Sequence, residues 1–528
     1  MELTRRSFLG GAALMGAGLA AAGLAGCSGQ SQQGDANAEG ATQVSGHNPV
    51  STEDVDVVVV GSGTAGTCAA LHAAEAGAKV LCIEKRSGLG GTSAFAEGFC
   101  GVNTAFQAEQ GIVLDSAAII DDTMKFHHYK CNAPVVKKFV ETSGEVVDWI
   151  QGHGVAWASV ASLGESYPVW HLPAGEEGPT HVSDVLDLLQ PAAEDLGVEF
   201  RLETPMTGLV VENGAVVGVY AEAEGGEVQI NAKAVVLATG GFANNAEMFE
   251  QFTGRPYDKV HVWGLDGRDG DGIRLAVSEA GADTHCPGAI MYHTGMLDGT
   301  GAFSDVPNYI LTMQPTLRVN ETGKRYFNEA ATSDFTACGN ALTSQTENYV
   351  LIDDGFIDYI EQNGPWMPMP NLGAFAGQPY ACREGLLETQ ALVQGDTIAE
   401  VAEQLGLDPD VVSATVEEYN GYCEAGVDSQ FGKPASMLVP LKTPPFYGAK
   451  ITPTLFTTVG GLRVNDRMQA IDTNGSAIPG LYAVGGDANG IYGFDYDVDV
   501  CSGSQQGWCA TSGYVAGANA AADAGFEA

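Results

Sequence analysis

The stretch from Val55 to Lys85 constrains the fold more than any other part of the chain. It reads VDVVVVGSGTAGTCAALHAAEAGAKVLCIEK. Val57 to Val60 form an apolar run as long as a buried parallel strand. Gly61, Gly63 and Gly66 follow at G-x-G-x-x-G spacing, and Thr64 to Ala76 is rich in Ala and Leu, which predicts a helix. Gly77 ends that helix, and Lys79 to Ile83 predict a second strand closed by Glu84, eighteen residues beyond Gly66. Each part suits a dinucleotide. Gly61 allows the tight turn, Gly63 admits a pyrophosphate, and Gly66 lets the helix pack on the sheet. The helix N-terminus at Thr64 and Ala65 faces the phosphate charge, and Glu84 accepts from a ribose. Three spaced glycines mean little alone in a chain with 70 glycines. Strand, glycines, helix, strand and acid in order mean much more.

A chain of 528 residues is long enough for more than one domain and a large core. It carries 66 acidic against 24 basic residues, a formal charge of −42. That excludes nucleic acid as a natural partner and leaves a solvated acidic surface or steering of a basic protein. The N-terminus stands apart from the fold. Thr4-Arg5-Arg6-Ser7-Phe8-Leu9 has a twin-arginine pattern, and Leu24-Ala25-Gly26-Cys27 resembles a lipobox. The small residues favour a cleaved signal (residues 1–27) over a spanning helix. The expectation is export by the twin-arginine route and a lipid anchor at Cys27 on the outer face of the cytoplasmic membrane. Residues 28–52 read as a flexible linker. No C-x-x-C or C-x-x-C-H occurs, so neither attached haem nor a compact metal motif is supported.

After Glu84 comes Gly88-Leu89-Gly90-Gly91-Thr92-Ser93, then Ala96-Glu97-Gly98, where small residues let backbone reach a ligand. Helical periodicity runs through residues 115–153, with Val135, Val136, Phe139, Val140, Val147 and Ile150 on one side. Asp184 to Leu196 predicts another helix, and Val198 to Leu202 and Met206 to Val211 predict strands. Asn213-Gly214 turns the chain into Val216 to Ala221. Ala234 to Thr239 is a further apolar strand that returns to the nucleotide sheet and ends in Ala238-Thr239-Gly240-Gly241.

The order of motifs resembles the fumarate reductase and succinate dehydrogenase flavoprotein family, in its soluble flavocytochrome and urocanate reductase branch. The matching pieces are VVVVGSGTAG, GGTS, ATGGFANN, Gly270-Asp271-Gly272-Ile273, RVNETGKRYFNEA and IPGLYAVGGDANG. The resemblance implies an α/β fold: a Rossmann-like FAD-binding domain in two segments, 53–254 and 441–528, with an α+β capping domain at 255–440 between them. It also implies FAD contacts from Lys85, Gly91, Thr92, Ser93, Gly98, Met206, Ala238, Thr239, Gly240, Asp271, Asp487, Ser504 and Gln505. Covalent members carry flavin on a histidine near the GGTS turn. None stands there here, so non-covalent FAD is expected. No haem or FMN-attachment domain accompanies the chain, so a separate donor, such as a cytochrome, is expected to supply electrons.

The family's dicarboxylate site departs most. Of two histidines and two arginines, only His293 survives. Phe456 replaces the second histidine, Ser333 the proton-donor arginine and Tyr496 the carboxylate-binding arginine, while Tyr492 replaces the histidine four residues before it. An arginine fork is the natural partner of a carboxylate. Tyrosine offers a neutral O–H and an apolar ring. Phe456, Tyr492 and Tyr496 are therefore expected to line an aromatic pocket, with Tyr496 acting on a carbonyl or phenolic oxygen. Flavin ketosteroid dehydrogenases, broader relatives, use tyrosines in this way. His293 is either a ligand contact or a satisfied structural histidine. Asp495, Asp497 and Asp499 lack the rest of a calcium loop and are expected to form an acidic loop at the pocket mouth.

The expected activity is reduction of an activated C=C bond in an enone or an aromatic unsaturated acid, by hydride from flavin N5. Two alternatives stand beside it. One is dehydrogenation next to a ketone, and the other is a flavin-binding surface lipoprotein without catalysis.

Overall fold

The computed structural model describes residues 46–164, 166–176, 178–296 and 305–527. The twin arginines, the lipobox and Cys27 lie outside the described residues.

The nucleotide sheet forms where the sequence predicts it. Val57–Val60 is fully buried and lies parallel to Val80–Ile83 on one side and Ala234–Leu237 on the other. Glu199–Arg201 extends the sheet beyond Val80–Ile83, and Ala477–Ala483 extends it beyond Ala234–Leu237. Four-residue valine-rich strands suit this place, since a parallel strand covered on both faces needs no polar side. Two helices cover one face, Thr64–Glu75 and Ser504–Ala524. They approach backbone to backbone because the second carries glycines at the contact. A Cβ on Gly513 would lie 2.2 Å from the carbonyl oxygen of Ala65, and one on Gly517 2.5 Å from that of Ala69.

A second sheet of Ser51–Asp54, Gly226–Asn231, Ala215–Ala223 and Met206–Glu212 flanks this domain. Its tightest turn has Asn213 at φ 51° and Gly214 at φ 80°, the left-handed pair a two-residue hairpin requires. Here the expected linker to residue 52 is too long. Ser51–Asp54 pairs in parallel with Gly226–Asn231, and His47 stacks on Tyr220 with 4.0 Å between ring centroids.

The capping sheet is built on one long strand, Phe446–Thr458. It pairs with Asn348–Asp353, Ile290–Met296, Val393–Gly395 and His261–Val262, and Leu317–Asn320 adds an edge. The expected boundary at residue 441 therefore falls too early, because this strand belongs to the cap. The chain rejoins the nucleotide sheet only at Gln469–Ile471.

Candidate active site

A cleft of about 1650 Å³, including its open mouth, runs from the glycine loop to the cap. Its nucleotide end is shaped by backbone. Gly61 sits at φ 105°, and a Cβ there would lie 2.3 Å from the carbonyl oxygen of Ala238. A Cβ on Gly66 would lie 1.8 Å from the carbonyl oxygen of Gly61, so Gly66 holds helix against strand from behind and does not line the cleft. Gly63 differs. It lines the cleft, and a Cβ there meets only Ser93 Oγ, at 3.4 Å, so the space it keeps open is the ligand's. As N-cap of Thr64–Glu75 it provides no side-chain cap, which leaves first-turn N–H groups for an anion.

Glu84 is buried and already organised. One carboxylate oxygen accepts from the Ser62 N–H at 3.0 Å and the Ser62 hydroxyl at 2.9 Å, and the other from the Arg86 N–H at 2.9 Å. A carboxylate has lone pairs left for a ribose after these three. Lys85 pairs with Asp269 and Asp271 at 2.8 Å each, closing the rim between the nucleotide domain and the segment after Trp263. Thr92 reinforces that junction by accepting from the Leu265 N–H at 3.2 Å. Gly91, Ser93, Gly98, Met206, Ala238, Thr239 and Gly240 all line the cleft. Asp487 does not. It is fully buried and accepts from the N–H groups of Thr239 and Gly241 at 2.5 and 3.0 Å and from the Thr239 hydroxyl at 2.9 Å. It therefore shapes the turn that lines the cleft. Burial raises its carboxyl above the usual range, against the pull of these donors.

The cleft leaves polar atoms waiting. Thr64 Oγ1, Gln505 Oε1 and Gln506 Oε1 are buried without a hydrogen-bond partner, and all three residues line it. Buried polar atoms are nearly always paired, so these mark places for a polar ligand. With the glycine cradle and Glu84, they fit a dinucleotide cofactor.

The far end of the cleft is apolar. Leu163, Met291, Phe335, Met369 and Phe456 line it beside Trp263. Tyr496 supplies a hydroxyl here and is 4 % exposed. Its oxygen accepts from the Gly503 N–H at 2.9 Å. Burial, with Asp497 nearby, pushes its phenol far above the ordinary value, so it stays a neutral donor. Arg268 also lines the cleft, but its guanidinium is committed to the carbonyls of Phe456, Trp263 and Leu265 and to Asn244. It braces the cap and brings no open fork to a carboxylate. Glu97 was only part of a small-residue run in the sequence, yet it lines the cleft, and burial pushes its carboxyl up to about 7.

The other expected catalytic residues stand one layer back. Tyr492 is fully buried behind Tyr496, with its hydroxyl 2.9 Å from Ser504 Oγ, so it does not line the pocket. His293 is fully buried, with Nδ1 2.6 Å from the Thr294 carbonyl and its ring against Phe335 and Phe456. Burial lowers it to about 3, so it is neutral and supports the aromatic wall. Ser333 donates to the Ala330 carbonyl at 3.3 Å and is likewise absent from the lining. Ser504 is buried and donates to Asp497 at 2.6 Å. That corrects the acidic loop as well: Asp497 is buried inside this network and not displayed at a mouth. Among the described residues no group of side chains is arranged to hold a metal ion.

The fold and cleft define a dinucleotide-binding enzyme with a capping domain. The chain belongs to the FAD binding domain family, which matches residues 56–497. Its relatives include the vinyl phenol reductase of Lactiplantibacillus plantarum, 33 % identical over 486 residues, covering 89 % of this chain and 97 % of that one. The urocanate reductase of Eggerthella lenta is 32 % identical over 89 % of this chain and 75 % of that one. Among solved structures, the open conformation of a flavocytochrome c3 fumarate reductase matches with a TM-score of 0.72 and 28 % identity, over 90 % of this chain and 79 % of that one. A 3-ketosteroid Δ4-(5α)-dehydrogenase from Rhodococcus jostii matches with a TM-score of 0.69 and 25 % identity, over 91 % and 98 %. The protein is an FAD-dependent oxidoreductase.

Proposed function

We propose that this enzyme reduces an activated C=C bond in a neutral conjugated substrate, an enone or a vinyl phenol. The observation that carries the reading is the far end of the cleft: an apolar, aromatic wall with the neutral hydroxyl of Tyr496 and with Arg268 tied to carbonyls. FAD, when bound and reduced, supplies the hydride at its N5. Trp263, Phe335 and Phe456 hold a flat conjugated molecule and exclude water. One proton balances the hydride: in an enone Tyr496 gives it to the carbonyl oxygen that takes up charge, leaving an enol that returns to the ketone, and in a vinyl phenol, whose oxygen takes up no charge, it gives it to the carbon next to the one that received the hydride. Among the described residues at this end a dicarboxylate finds no free cation, and burying an unpaired carboxylate is costly. The names of the relatives, vinyl phenol, urocanate and fumarate reductases, agree with C=C reduction as the shared chemistry.

The test is reoxidation of the anaerobically reduced holoenzyme. 4-Vinylphenol should restore the oxidised flavin spectrum at least about 100-fold faster than fumarate, the factor that corresponds to losing one buried charged hydrogen bond. Faster reoxidation by fumarate would overturn the reading. The ketosteroid dehydrogenase likeness favours the reverse direction as a second reading. It requires flavin reduction by a saturated ketone in the absence of any other donor.

We further propose export and lipid anchoring at Cys27, on the strength of Arg5-Arg6 and the Leu24–Cys27 run. Electrons then come from a separate donor, and the charge of −42 suits a basic one such as a cytochrome. Cys27→Ala should give an exported protein released from the membrane fraction. Unchanged membrane retention would exclude the anchor.

A further inference from the structure

Behind Tyr496 lies a connected set of polar groups that C=C reduction as described above leaves unused. Ser504 Oγ donates to Asp497 Oδ1 at 2.6 Å and lies 2.9 Å from the Tyr492 hydroxyl. Gly503, the residue before it, donates its N–H to the Tyr496 oxygen at 2.9 Å, which places Ser504 beside that phenol. The other oxygen of Asp497 lies 3.9 Å from Nε2 of His127. His127 is 1 % exposed, and neither of its ring nitrogens has a hydrogen-bond partner. A buried imidazole with both nitrogens unpaired is rare enough to call for a role.

The surroundings of His127 suit a proton carrier. It is the C-cap residue of the helix Ser116–Phe126, where helix carbonyls favour a cation. Asp497 faces it, and the carboxyl of Asp495 is close enough to feel its charge. The rings of Phe126 and Tyr492 stand edge-on at 5.0 and 5.9 Å. The Cβ atoms of His127 and Lys130 both pack against Gly493. The next residues, His128 to Lys130, are exposed, so the path reaches solvent within one turn of chain.

We propose that His127 and Asp497 are the proton reservoir of this site, reloading Tyr496 through Ser504 after each turnover. The inference rests on Tyr496 being the proton donor. The protons balance as follows. Tyr496 gives its proton to the substrate and is left as phenolate. The Ser504 hydroxyl turns from Asp497 and gives its proton to that oxygen, while Asp497 takes the Nε2 proton of His127 and passes it to Ser504, so Asp497 ends as the carboxylate it began. His127 then takes a proton from solvent at the 128–130 turn. No electrons move along this path. The 3.9 Å gap is too long for direct transfer, so the imidazole turns toward Asp497 or one water bridges them.

The experiment compares one turnover with many, using holoenzyme, 4-vinylphenol as probe and excess reduced viologen as donor. In His127→Gln, the first flavin reoxidation should stay within about threefold of wild type, since Tyr496 begins protonated, while steady-state turnover falls tenfold or more. The solvent deuterium isotope effect on kcat should rise. Asp497→Asn, nearly isosteric, should do the same and serves if His127→Gln loses flavin. Equal loss in both phases, or no loss in either, overturns the reservoir. Tyr496→Phe separates the two proposals. It should slow the first turnover itself, and if it does not, the donor assignment fails whatever His127 does.

Discussion

The two ends of the cleft are built by opposite means. At the nucleotide end, much of the lining comes from the two neighbouring stretches 60–65 and 83–98, joined by Met206, Ala238 to Gly240 and Gln505, and glycine backbone sets its shape. At the substrate end, each wall residue arrives from a different segment: Leu163, Met291, Phe335, Met369, Phe456, Tyr496. Side chains decide that end, and none of these residues lies in a strand of the nucleotide sheet. A residue at the first end is tied to the fold, because an added Cβ on Gly61 or Gly66 meets a carbonyl oxygen at 2.3 Å or less. A residue at the second end can change the substrate and leave the nucleotide sheet standing. The same scaffold can therefore serve reductases of different substrates.

The largest expected effects test this division inside one loop. Gly66→Val should yield no folded holoprotein, since its side chain must displace the strand–helix junction. Gly63→Val should fold, because the cleft side of Gly63 is open, but should purify without flavin. Equal flavin content in Gly63→Val and wild type would show that the cofactor phosphates lie elsewhere. Flavin that stays with acid-precipitated wild-type protein would separately overturn non-covalent binding.

A smaller effect belongs to the substrate end. Tyr496→Phe keeps the ring and loses one hydroxyl. It should retain the fold and FAD while kcat falls about 100-fold or more, the usual contribution of a general acid. The Gly503 N–H loses its acceptor, so the melting temperature should drop slightly. A fully active variant would move the proton donor away from Tyr496.

What was legible in the sequence follows the same division. The glycine loop, its helix and Glu84 were readable because their contacts are local and their spacing is fixed by the turn. The substrate wall was not. Leu163 and Met369 carry no local signal, and Phe335 looks like any helix residue. Tyr492 and Tyr496 sit in an irregular segment without a period, so nothing in the spacing tells which ring faces the cleft. Ser51–Asp54 is too polar to read as a strand and forms one through backbone pairing at a sheet edge. Phe446–Thr458 hides as a strand because Lys450 and Pro453 interrupt its apolar pattern.

The smallest expected effect lies where the two ends meet. Glu97 follows Ser93, which abuts Gly63, and precedes Gly98, which packs on the His171 carbonyl. Burial raises its carboxyl from 4.5 to about 7, against the pull of its own backbone N–H. A raised acid destabilises the folded form once it must ionise. Between pH 4.5 and about 7 the folded protein holds a proton that the unfolded chain has released, so stability falls as pH rises through that window. Outside the window the contribution is flat. Glu97→Gln cannot ionise and should lose this slope. The measurement is the thermal midpoint of flavin-stripped protein across the window, with recovery of bound flavin on adding FAD as the check that the fold is intact. The wild type should lose a few degrees more than the variant between the two limits. Parallel curves would mean that Glu97 is solvated and belongs to neither end of the cleft.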